Sequence, residues 1–99
     1  MSYIVFCTFD LRNASSQDYE NAYSALGRLG LNRVIAADNG RQVVIPTTSV
    51  QGSFNGRDAA TVRDDLRNRI QQAFTNLGLR SEIYLITGGE NWAWGSTTS

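Results

Sequence analysis

The chain has 99 residues, 41% of them apolar, 18% charged and 10% aromatic, a balance that fits one globular domain and excludes a disordered or fibrous chain. Nine arginines offset nine acids and there is no lysine, so no overall field draws the protein to nucleic acid or to an anionic membrane. Histidine is absent and Cys7 is the single cysteine, which removes the Ser-His and Cys-His nucleophile pairs and any internal disulfide.

Residues 3–9, YIVFCTF, are apolar or β-branched on both alternating faces, the pattern of a central strand covered on two sides. Cys7 inside this run reads as a buried small hydrophobe. With no basic leader and no small-residue cleavage site, the segment is expected to be a strand and not a signal peptide. No run reaches the ~18 apolar residues of a membrane span, so the expected address is the cytoplasm, with no membrane partner. Ser15 and Asp18 have capping-box spacing, and Tyr19, Ala22, Tyr23, Leu26 and Leu29 recur at helical spacing, predicting a helix over 16–29 that stops at Gly30.

A second strand is expected over 31–37. Asn39-Gly40 then signals a hairpin; as a two-residue turn it would set Asp38 opposite Arg41 in a cross-strand ion pair. The third strand is expected over 41–48, with Pro46 at a bulge or where pairing has ended. The segment VQGSFNGR, residues 50–57, reads as a two-glycine loop. Asp58 or Thr61 caps a second helix over 59–77, whose stripe is Val62, Leu66, Ile70, Ala73, Phe74 and Leu77. Gly78 stops it, and a last strand follows over 82–87. "LGL" occurs after both helices, which suggests an internal pseudo-repeat.

The order strand, helix, strand, strand, helix, strand predicts an α+β fold, the ferredoxin-like βαββαβ. Right-handed crossovers then place both helices on one face of a four-stranded antiparallel sheet of order 4-1-3-2. All 99 residues form one domain, with 95–99 expected as a disordered tail. The face opposite the helices should be polar, yet the first strand sets Tyr3, Val5, Cys7 and Phe9 on one side and Ile4, Phe6 and Thr8 on the other, and the last sets Ile83 and Leu85 against Tyr84 and Ile86. Such a face needs a cover. Trp92 and Trp94 fall on the same side of an extended segment, and each can remove ~150–250 Å² from water. The tail is therefore expected to act as a lid or fifth strand, on its own sheet or across a homodimer, with at least one indole mostly buried. Trp92, Trp94 and Tyr84 are the expected interface residues.

Asp10 closes the first strand, beside Arg12 and Asn13. An acid there is a candidate general base or metal ligand; across a two-fold axis Asp10 and its copy would share one Mg²⁺. The competing reading is an Asx-type cap of the loop. Arg63, Asp64, Asp65, Arg67 and Arg69 on the second helix read as a solvated, ion-paired face.

The strand ending TFD at residues 8–10, GLNRV at 30–34 and the helix leading into EIYLIT at 82–87 give the chain a resemblance to the ferredoxin-like CRISPR-associated endoribonucleases, the small dimeric subunit of the spacer-acquisition machinery. It is similar also to the related antitoxin ribonucleases. The likeness covers roughly residues 3–86. It implies Mg²⁺-dependent RNA cleavage with Asp10 as the catalytic, metal-binding acid, and a C-terminal segment around Trp92–Trp94 that adds a strand to the partner's sheet. Zero net charge and missing histidine point instead to a non-catalytic interaction or regulatory module that uses the open sheet face. That module is the expected function, with the ribonuclease as its alternative.

Overall fold

The computed structural model describes residues 1–37, 39–89 and 91–97. Its elements are β1 (Ser2–Leu11), α1 (Ser16–Arg28), β2 (Val34–Ala36), β3 (Gln42–Val44), β4 (Ser49–Asn55), α2 (Ala59–Asn76) and β5 (Ser81–Gly88). They build a mixed α+β domain with a three-stranded antiparallel sheet of order β4-β1-β5 and a two-stranded antiparallel sheet β2-β3. Alternation sends Tyr3, Val5, Cys7, Phe9 and Leu11 to the helix side of β1, where they join Leu26, Val62, Leu66, Ile70 and Phe74 in the core. Phe9 is its aromatic centre, with ring centroids 5.3 Å from Phe74 and 5.7 Å from Tyr23.

Both helices start and stop as the sequence predicts. The Ser15 hydroxyl accepts from the Asp18 amide at 3.1 Å, and the Asp18 carboxylate accepts from the Ser15 amide at 3.0 Å. Asp58 caps α2 by accepting from the Thr61 amide at 2.7 Å. The two "LGL" phrases are the same helix stop made twice. Gly30 and Gly78 take φ of +93° and +72°, and the amides of Leu31 and Leu79 each bond back to the carbonyls of Leu26 and Phe74 at 2.9 Å. This is the Schellman arrangement, in which a left-handed glycine lets the chain satisfy its last carbonyls. The repeated phrase thus has a local cause in helix capping.

Three expectations need correction. The strand beside β1 is not 41–48 but β4, which the sequence reading took for a loop. Among the described residues, 42–44 pair with 34–36 and with no strand of the larger sheet; strand pairing stops before Pro46, which has no amide to donate. Second, the expected strand 31–37 shrinks to three residues. Leu31 is buried, and Asn32 bridges Gln51 through amide–carbonyl bonds of 2.9 and 3.0 Å. The four strands expected in one sheet are therefore divided between two, with that bridge between them. Third, the hairpin closes differently. The Ala37 amide donates to the Arg41 carbonyl at 2.8 Å, and the Gly40 amide to the Ala37 carbonyl at 3.0 Å, so the closing pair is Ala37–Arg41. The expected Asp38–Arg41 ion pair falls on a residue outside those described.

Thr48 joins the hairpin to β4 at φ +61°, a left-handed position that is unfavourable for a β-branched residue. Three bonds hold it there. Its amide donates to the Tyr23 hydroxyl at 2.8 Å, and its carbonyl accepts from the Phe9 amide at 3.0 Å and the Thr8 hydroxyl at 3.1 Å.

Candidate functional site on the open sheet face

The even residues of β1 point away from the helices. Register fixes their neighbours: Ile4 lies between Ser53 and Gly88, Phe6 between Gln51 and Ile86, and Thr8 between Ser49 and Tyr84, while Asp10 lies beside Glu82. The face is apolar at one end and acidic at the other. Tyr84 and Ile86 are 66% and 58% exposed, so the helices leave an apolar surface uncovered, as the alternation predicts.

Two walls stand on the apolar end. One is the β2-β3 hairpin, which contributes Ile35, Val43, Ile45 and Pro46; the other is the tail, which contributes Trp92, Ala93 and Trp94. With Ile4, Phe6, Gln51 and Ile86 as floor they enclose a cavity of about 450 Å³. The tail turns back after β5 and forms no fifth strand among its described residues. A Cβ added to Gly88 would lie 3.5 Å from the Cβ of Trp92 and 3.6 Å from Ile4 Cγ2, so any larger side chain there would reach into the space between strand and tail. Trp92 and Trp94 remain 43% and 40% exposed. Within one chain each indole is covered over little more than half of its surface: the arm reaches the cavity's edge and does not close it. The sequence reading found the tryptophans and missed the hairpin wall and Gln51. The signal available was the run VVIP at 43–46, more apolar than a short exposed hairpin needs.

Asp10 is exposed, near the end of β1, opposite Glu82. Glu82 is ion-paired with Arg12. Among the described residues the Asp10 carboxylate takes part in none of the side-chain hydrogen bonds, so the expected Asx cap is not formed. Two carboxylates, one engaged by an arginine, do not make a Mg²⁺ site within one chain, and among the described residues no group of three or more His, Cys, Asp or Glu side chains could hold an ion. Among the described residues no arginine is ion-paired with Asp10. Arg63, Arg67 and Arg69 pair with Asp64 and Asp65 along α2, and Arg57 with Asp58. Arg33 stacks 4.0 Å over Tyr23 and reaches Glu20 at 3.8 Å. Hydrogen bonds from Thr61 and Arg63 hold Asp58 and Asp64, respectively, below the ordinary carboxylate range. Cys7 is fully buried, and burial pushes its thiol up to about 11, the opposite of nucleophile activation.

No protein-family model matches the chain, and no curated protein matches its sequence. None of the described helices is long and apolar enough to cross a membrane.

Proposed function

We propose that the chain is a ferredoxin-like interaction or regulatory module, cytoplasmic in address, whose working surface is the open sheet face and the Trp92–Trp94 arm across it. The observation that carries this reading is the walled apolar cavity, with two half-exposed indoles at its edge. A concave apolar surface with few polar groups is the usual form of a binding site, and exposed apolar patches of this kind mark contact surfaces. The fold assignment draws support from the Asn32–Gln51 bridge, which sets the second predicted strand beside β4, as a 4-1-3-2 order requires; β2-β3 is then a hairpin projecting from it. A homodimer seated on the same face is one way of using it. The test is sedimentation of the intact chain, of a chain lacking residues 88–99, and of Ile86→Glu. Deleting the arm should cause self-association or aggregation, which Ile86→Glu in the deleted chain should relieve. A deleted chain as monomeric and concentrated as the intact one would remove the reading.

The Mg²⁺-dependent ribonuclease is a second reading, favoured by one observation: Asp10 is an exposed acid with Glu82 as its register partner. Asp10→Asn should then abolish metal-dependent RNA cleavage and leave the far-ultraviolet circular dichroism unchanged. Cleavage retained in that variant would dismiss Asp10.

A further inference from the structure

Resting on the binding-module reading, we propose that the cavity between the hairpin and the tryptophan arm takes a small, uncharged, largely apolar molecule, hydrogen-bonded through Gln51. The first ground is charge. Among the described residues no arginine and no acid lines the cavity, whose polar members are Gln51, Thr87 and Ser96. An ion brought into it would lose hydration and meet no counter-charge. The second ground is size. A cavity of about 450 Å³ lies within the usual range for small ligands, about 300–1,000 Å³. A helix of about 10 Å diameter rising 1.5 Å per residue displaces about 120 Å³ per residue, so the space admits roughly one turn and no longer element. A second sheet face packs about 10 Å away across its whole width, and here the hairpin and the arm already stand in that layer.

The third ground is the placing of polar groups. Gln51 is the register partner of Phe6, on the cavity floor, and its carboxamide makes none of the side-chain hydrogen bonds among the described residues. It offers one acceptor and two donor hydrogens to a single polar group on an otherwise apolar body. Thr87 does not serve in this way: it pairs with Val5, whose side chain faces the helices. The half-exposed Trp92 and Trp94 would be buried by an occupant, so binding and closure of the arm are one event.

The experiment titrates the intact chain with Nile red, a neutral apolar dye, and in parallel with the anionic dye 8-anilinonaphthalene-1-sulfonate, while tryptophan emission is recorded. Nile red should saturate at one per chain, with blue-shifted tryptophan emission, and bind at least tenfold more tightly than the anionic dye. Val43→Asp, which charges the hairpin wall, and Gly88→Val, which raises the floor, should each weaken Nile red at least tenfold with unchanged circular dichroism. Gln51→Leu should weaken Nile red, whose ring carbonyl can accept from the carboxamide, at least threefold with unchanged circular dichroism; binding equal to that of the native chain would remove Gln51 from the proposal. Absence of saturable Nile red binding, or binding equal in all variants, would overturn the proposal. If that result comes with a concentration-dependent mass abolished by Ile86→Glu, the face serves a second copy and the module reading stands. If it comes with an inert deletion of residues 88–99, both fall.

Discussion

At Gly52 an added Cβ would lie 2.1 Å from the Gly30 carbonyl oxygen and 3.0 Å from the Phe54 ring. The nearest obstacle is backbone and cannot swing aside, so the β4 strand reaches the end of α1 only because this residue has no side chain. Gly52→Ala is expected to cost about 1–3 kcal/mol, the range for overpacking, read as a lower denaturant midpoint at unchanged slope. Cys7 supplies a pH test. Its unfolded thiol titrates near 9.0 and its buried one near 11. Above pH 9 the unfolded chain gives up this proton first, so stability is full below that value and is lost as pH rises through the folded value. The slope is roughly 1.4 kcal/mol per pH unit. Comparing denaturation of the native chain and Cys7→Ala between pH 8 and 11 isolates it: the native chain should lose stability faster. Folded protein should also resist iodoacetamide at neutral pH and react once unfolded.

Among the elements, the helices were the most legible. Their stripes, caps and glycine stops are local signals, and structure and sequence agree to about a residue at each end. The central strand was legible because Tyr3 to Phe9 can satisfy two covered faces. β4 was not: Ser49, Gln51, Gly52, Ser53 and Asn55 carry little strand propensity, and the ladder to β1 with the fit at Gly30 overrides it. That an apolar face lies open could be read from a first strand apolar on both sides; which side it is, that of Phe6 and Ile86, needed the register. The cavity could not, because it depends on where the hairpin swings once β4 has taken the place beside β1. Leu66 tests the helix–sheet layer. It is 2% exposed in the core, and Leu66→Ala should cost about 2–5 kcal/mol in chemical denaturation; a loss under about 1 kcal/mol would mean that α2 presents another face.

For the molecule as a whole, stability should be graded outward from β1. Its amides are paired on both sides, to β4 and β5, and should exchange with solvent only on global opening; those of the two three-residue strands should exchange much sooner. Mass spectrometry of deuterium uptake reads this directly, and slow exchange in β2-β3 would contradict it. The same central place of β1 governs how the domain comes into being. Of the described elements β1 leaves the ribosome first, yet its two neighbours are the fifth and the seventh of them to appear. Until then its apolar length has nothing to pair with, and closing the chain onto β5 spans most of the domain, a non-local contact of the kind that slows folding. Between the emergence of β1 and that of β4 the nascent domain therefore carries an exposed, aggregation-prone strand, and slowing translation in that interval should lower the yield of folded protein more than the same delay before β1 has emerged.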